Sequence, residues 1–111
     1  MTEIGKELLG KVALITGGAR PKGQGAAEGR LFASRGATVI LADVIDEEGE
    51  RTAGEIERAE YAHLDVTSEQ EWEDVVADVM SRHGRLDVLI NNAGIAPMGR
   101  LVNATIDDWN L

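Results

Sequence analysis

The residues able to do chemistry fall into four short stretches, and the first is the most unusual. Residues 16–29 read TGGARPKGQGAAEG, five glycines in fourteen positions, directly after the apolar run VALI. A glycine-rich turn after a short apolar strand is the common form of a phosphate cradle. Bare backbone lets amide N–H groups approach an anion at a helix N-terminus. Two standard spacings fail here. A P-loop needs G-x-x-x-x-G-K-[ST], with Lys for the terminal phosphates and a hydroxyl for magnesium. Gly18 and Gly23 have that gap, but Gln24 and Gly25 stand where Lys and Ser/Thr are required. The dinucleotide fingerprint G-x-G-x-x-G also fails, because Gly23, Gly25 and Gly29 give G-x-G-x-x-x-G. Asp43 follows eighteen positions beyond Gly25, close to the separation at which a carboxylate accepts from both ribose hydroxyls of an adenosine. The plainer role for Asp43 is a turn residue after a strand. The remaining stretches are HLDVT at 63–67 and NNAGI at 91–95. His63 and His83 have no partners at metal-ligand spacing, and without cysteine there is neither a thiolate zinc site nor a disulfide framework.

These stretches must be held by the elements between them. Val12–Thr16 has strand length and composition. The following AAEGRLFASRG places Ala27, Leu31 and Phe32 at helical spacing, and Gly36 is a natural helix stop. ATVILAD at 37–43 reads as a fully buried strand. EEGERTAGEIERAE at 47–60 reads as a polar helix with a thin apolar stripe of Thr52, Ala53, Ile56 and Ala59, followed by a short strand YAHLD at 61–65. In TSEQEWEDVVADVMSRHG, Ser68 and Glu71 form a capping box, and Trp72, Val75, Val76, Val79 and Met80 share one face. LDVLI at 86–90 is a fourth apolar strand, and the glycines and proline of NNAGIAPMG mark a loop. Strands this apolar belong to a parallel sheet covered by helices on both faces. The pattern therefore predicts an α/β fold, a doubly wound parallel sheet with Rossmann topology.

Composition narrows the function. The chain has 111 residues, 43% hydrophobic and 28% charged, which fits one domain, residues 1–111. A formal net charge of −9, with acids concentrated in 43–60 and 68–78, argues against nucleic acid as partner. Apolar runs of four or five residues are far short of a membrane span, and MTEIGKELLGK lacks a signal-peptide layout. No membrane partner and a cytoplasmic setting are the expectations. Near the C-terminus, Thr105 and Asp108 begin a helix that the chain leaves after about one and a half turns, shorter than an isolated helix sustains. We expect a chain truncated before a second, catalytic half.

Taken together and in order, TGGARPKGQG at 16–25, LADV at 41–44, HLDVT at 63–67 and NNAGI at 91–95 resemble the N-terminal half of a short-chain dehydrogenase/reductase with a T-G-x-x-x-G-x-G nucleotide loop. The resemblance covers nearly the whole chain. It implies strand order 3-2-1-4 and a site for a nicotinamide dinucleotide. Gly17, Gly23, Gln24 and Gly25 would line the pyrophosphate turn. Asp43 would hold the adenosine ribose and Val44 would flank the adenine. Asp65 would accept from the adenine amino group, with Val66 beside the ring. Asn91, Ala93 and Gly94 would form the wall near the ribose and nicotinamide.

The departure lies in the loop, which is two residues longer than the family spacing, so that Gly23-Gln24-Gly25 becomes the G-x-G. Pro21 fixes its own φ, pushes Arg20 toward extended backbone and has no N–H to donate. The extra residues would then bulge at the loop tip. Arg20 and Lys22 could contact phosphate, and a basic residue here also marks family members that prefer NADP. Asp43 argues the other way, because a carboxylate at the ribose 2′ position repels a 2′-phosphate. We take the cofactor to be NAD.

In the family a Tyr acts as general acid/base with a Lys four residues later, a Ser polarises the substrate oxygen and an Asn supports a proton relay. Here Lys6, Lys11 and Lys22 are the only lysines and Tyr61 the only tyrosine, with Asp65 four positions on, so no Tyr-x-x-x-Lys pair exists and no catalytic residue is assigned. Asn110 sits too early for the relay role. The reading is an NAD(H)-dependent oxidoreductase acting on a small-molecule secondary alcohol or ketone, represented by its cofactor-binding half and inactive alone. A homo-oligomer is expected of the intact protein. The alternative is a non-catalytic dinucleotide-binding or interaction module that binds NAD without turnover. A phosphoacceptor receiver domain would need clustered acids after the first strand, where this chain has TGGAR.

Overall fold

The structure, a computed structural model, describes residues 6–92. Among these residues four parallel strands and three helices alternate: β1 (Val12–Thr16), α1 (Gln24–Ser34), β2 (Thr38–Asp43), α2 (Asp46–Gly54), β3 (Ala59–His63), α3 (Glu69–His83) and β4 (Val88–Asn91). The sheet order is β3-β2-β1-β4, as the resemblance implies. Because β1 lies between β2 and β4, the chain reverses its direction of winding at β1, and the crevice beyond the C-terminal ends of β1 and β4 is the topological switch point where open α/β sheets bind ligands.

Strand side chains alternate between two apolar layers. Val12, Leu14, Ile40 and Ala42 pack with Leu64, Leu86 and the Trp72, Val75, Val76 and Val79 face of α3. Ile15, Val39 and Leu41 pack on the opposite side with Ala33 of α1 and Ala53 and Ile56 of and just beyond α2. Leu14, Ile15, Ile40 and Leu41 are fully buried, and each such side chain contributes about 1.5–3 kcal/mol by leaving water. The helices thus sit on both faces, and the strand ends are free to carry a site.

Three local expectations are corrected. The buried face of α1 is Gly25, Ala26, Gly29 and Ala33, whereas Ala27 and Leu31 face water and Phe32 is half-buried. Small residues win because α1 lies directly on the sheet: a Cβ on Gly29 would stand 2.9 Å from Leu41 Cδ2. Helix α2 ends at Gly54 rather than near residue 60, and β3 runs Ala59–His63 rather than 61–65. Arg58 makes the change of direction in left-handed backbone (φ 65°), which lets Ala59 pair with Val39 in the β2 register. The capping box of α3 is half formed. Ser68 Oγ accepts from Glu71 N at 3.1 Å, but the Glu71 carboxylate turns back to accept from Asp65 N at 2.8 Å. The far end of α3 closes on Gly84 (φ 76°), which donates to Met80 O.

Candidate cofactor-binding site

The C-terminal ends of β1, β2, β3 and β4 bring Thr16–Gly17, Asp43–Val44, Asp65–Val66 and Asn91 to one edge of the sheet. Ala93, Gly94 and the helix start at Thr105 lie outside the described residues. Gly17 leaves β1 in left-handed backbone (φ 70°) and donates to Ala42 O at 2.8 Å, with Gly18 donating to the same carbonyl at 3.3 Å. Gly23 is the N-cap of α1 and Gln24 and Gly25 open its first turn. Gly25 is the point of closest approach: a Cβ there would lie 2.5 Å from Gly17 O and 3.0 Å from Gly18 Cα, both backbone. The loop therefore folds tightly against the helix start, a cradle that a side chain at 25 would fill. Such a turn, with helix amides behind it, fits a pyrophosphate.

The two extra residues take a defined shape. Gly23 N donates to Arg20 O at 3.0 Å, closing a turn over Arg20–Gly23 with Pro21 in its second position, where proline is favoured. Arg30 of α1 donates to Pro21 O at 2.8 Å and ties the turn down. Arg20, Pro21 and Lys22 are exposed, and with Gly23 and Glu48 they line a shallow groove. The tip points outward and leaves Gly17, Gly23 and Gly25 in place.

Asp43 ends β2 beside this loop. Its Oδ2 accepts from Ala19 N at 3.1 Å and its Oδ1 from Val44 N at 2.7 Å, which holds the carboxylate while each oxygen keeps acceptor capacity. Val44, the next residue, is 52% exposed, unusual for valine. Asp65 Oδ1 accepts from both N and Oγ1 of Thr67, which holds its carboxyl below the ordinary range. Val66 is partly buried against the α3 layer, and its carbonyl accepts from the Trp72 indole at 2.9 Å.

Several residues beyond those assigned to the cofactor join this edge. Thr16, fully buried, donates to Asn91 Oδ1 at 2.6 Å and accepts from Asn92 N at 3.0 Å. Asn92 also donates to Glu28 Oε1 at 2.7 Å, so the Asn-Asn pair is tied to β1 and α1 together. A buried threonine at a strand end is the sequence signal for such a bond, since a hydroxyl out of water needs a partner. His63, in register with Asp43, places Nδ1 2.7 Å from Asp46 Oδ1 and Nε2 3.6 Å from Glu71 Oε1. The Asp46 hydrogen bond holds the imidazole above its ordinary pKa. Tyr61 Oη lies 2.7 Å from both Asp43 O and Asp46 Oδ1. Burial, then Asp46, pushes its pKa far up, so it remains a neutral phenol engaged in holding the strand ends. Among the described residues no His/Cys/Asp/Glu group could hold a metal, and no helix is long and apolar enough to cross a membrane.

Comparison with known proteins agrees with this geometry. The family model described as short chain dehydrogenase matches residues 11–111. The chain is 43% identical over 103 residues to a 3-alpha-(or 20-beta)-hydroxysteroid dehydrogenase of Mycobacterium tuberculosis, covering 92% of this chain and 39% of the relative. It is 38% identical over 119 residues to trans-4-hydroxycyclohexanecarboxylate dehydrogenase of Sinomonas cyclohexanicum, covering 98% and 45%. The crystal structure of a 3-ketoacyl-(acyl-carrier-protein) reductase from Brucella melitensis complexed with NADH superposes with a TM-score of 0.73 at 39% identity, over 80% of this chain and 36% of that one. The chain thus spans about two-fifths of the length of these curated relatives. On the matched model, the strand order and the loop at the switch point, the chain belongs to the short-chain dehydrogenase family.

Proposed function

We propose that this chain is the cofactor-binding part of an NAD(H)-dependent oxidoreductase that interconverts a secondary alcohol and its ketone, with residues 1–111 forming one dinucleotide-binding domain. The observation that carries the cofactor choice is Asp43, held by Ala19 N and Val44 N at the end of β2. In that position it accepts from ribose hydroxyls and opposes a 2′-phosphate. Gln24 and Gly25 present the backbone of the first helical turn to the pyrophosphate. Gly17 and Gly23 shape the turn that lines it with their own amides on Ala42 O and Arg20 O, and Arg20 stands at the rim as a counter-charge. Val44 and Val66 flank the adenine, Asp65 keeps one oxygen for its amino group, and Asn91 borders the nicotinamide ribose.

When bound, the nicotinamide supplies or takes up the hydride; this chain's residues bind and orient it. The family's Ser, Tyr and Lys have no counterparts among the 111 residues, and we expect those residues alone to bind cofactor without turnover. Two relatives carry names of alcohols, a hydroxysteroid and a hydroxycyclohexanecarboxylate, which supports the substrate class. A soluble, cytoplasmic homo-oligomer is part of the same reading.

The test is cofactor discrimination. Two unit charges about 4 Å apart near a protein surface interact by up to about 4 kcal/mol, less when water screens them. Wild-type protein should bind NADH at least about tenfold more tightly than NADPH, a difference of about 1.4 kcal/mol. Asp43→Asn should bring the two affinities within about threefold, or 0.7 kcal/mol. Equal or tighter NADPH binding by the wild type would sink the NAD assignment.

A further inference from the structure

One residue in the loop between β1 and α1 is held from both sides. Ala19 N donates to Asp43 Oδ2 at 3.1 Å, and Ala19 O accepts from Thr52 Oγ1 at 2.7 Å. Ala19 is fully buried and Thr52 is 1% exposed. Loop carbonyls ordinarily face water, so a buried one needs a donor, and here a helix on the sheet face supplies it. Thr52 gains α2 nothing locally, since threonine is a poorer helix former than alanine. Its hydroxyl bonds a carbonyl 33 residues back in sequence, rather than a carbonyl of its own helix.

We propose that Thr52 is a positioning residue of the cofactor site, one that acts through Ala19 on both the glycine loop and Asp43. The inference rests on the cofactor reading above. Ala19 divides the loop. On one side, the Gly17 and Gly18 amides are spent on Ala42 O, which fixes the exit from β1. On the other, the Arg20–Gly23 turn leads into α1. With Ala19 pinned, the two extra residues are confined to the outer turn and the Gly17–Gly25 contact is undisturbed. The same pin fixes Asp43: with Ala19 N on one oxygen and Val44 N on the other, the carboxylate cannot rotate. Its remaining lone pairs face one way before any ligand arrives. Thr52 therefore presets both the pyrophosphate turn and the ribose acceptor, and a preset site binds more tightly because less is ordered on binding.

The experiment compares Thr52→Val, which keeps the shape and loses the hydroxyl, with Thr52→Ser, which keeps the hydroxyl. For the intact protein and each variant, NADH and NADPH dissociation constants are measured well below the unfolding temperature, alongside urea unfolding. Thr52→Val should weaken NADH by about tenfold, as expected from stranding one buried carbonyl, and narrow the NADH preference over NADPH. Thr52→Ser should remain within about twofold of wild type. A Thr52→Val protein that unfolds more easily but keeps both constants overturns the inference and leaves the cofactor reading standing. A wild type that does not bind NADH overturns both. Should Thr52→Val fail to fold, amide hydrogen exchange of the wild type decides. A protected Ala19 amide without cofactor supports the preset loop; open-chain exchange without NADH and protection only with it overturns it.

Discussion

Gly25→Ala places a methyl group where the backbone has left no room. The new Cβ would stand 2.5 Å from Gly17 O and 3.0 Å from Gly17 C and Gly18 Cα. A carbon and an oxygen ordinarily meet at roughly 3.3 Å, so the loop must withdraw by several tenths of an ångström. Overpacking of this kind costs about 1–3 kcal/mol. Opposing it, alanine is favoured over glycine in a helix by up to about 1 kcal/mol, part of which comes from a less disordered unfolded chain. Gly54→Ala separates the two terms. Gly54 is the last residue of α2, and a Cβ there meets nothing within 4 Å. The unfolded-state effect is common to both variants and cancels in their difference. Gly54→Ala should be neutral to stabilising by about 0.5–1 kcal/mol, with Gly25→Ala lying about 1–3 kcal/mol below it. Urea unfolding followed by circular dichroism measures the difference. Because the displaced backbone is the proposed pyrophosphate turn, NADH affinity should fall at least about tenfold in Gly25→Ala, a loss of about 1.4 kcal/mol, and remain unchanged in Gly54→Ala. Two variants of equal stability, both binding NADH as the wild type does, would refute the cradle.

Two further predictions concern the flanks of the site. His63, held above its ordinary pKa by Asp46, contributes stability that is whole below about pH 6.5 and lost as pH rises through the raised value. Asp46, held below its ordinary value by Tyr61 and then His63, contributes above about pH 4 and loses that as pH falls through its lowered value. The urea midpoint of His63→Gln should therefore fall short of wild type clearly at pH 6 and much less at pH 9; a deficit that grows with pH contradicts the pairing. Trp72→Phe removes the donor to Val66 O from a fully buried site and should cost about 1–3 kcal/mol, read as a lowered unfolding midpoint; an unchanged midpoint would show that the bond contributes nothing.

The sheet and its order were legible in the sequence because strand composition, alternation with helices and the glycine loop all point the same way. β1 and the Asp43 end of β2 lie where the residues place them. What failed to show was anything decided across the fold. Hydropathy favours Leu31 and Phe32 as the inner face of α1, but the backbone of Gly17 and Gly18 against Gly25, and Leu41 against Gly29, select small residues for that face. Helical spacing carries Ile56 and Ala59 along with Thr52, whereas pairing with β2 takes Ala59 for the sheet. Asp43 was readable as an acceptor near the loop; its grip on Ala19, and that of Thr52 on the same residue, join residues 24 and 33 positions apart. No local pattern encodes such a bond.

The clamp between Thr16 and Asn91 joins residues 75 positions apart, and this orders events during synthesis. At roughly 5–20 residues per second, Asn91 is made about 4–15 s after Thr16. For that interval β1 has one sheet neighbour at most, and its other edge stays open. The acidic helices flank a nascent half-sheet that cannot yet close its switch point. Slowing translation between codons 43 and 91 would lengthen that exposure, and chaperone dependence should rise with it.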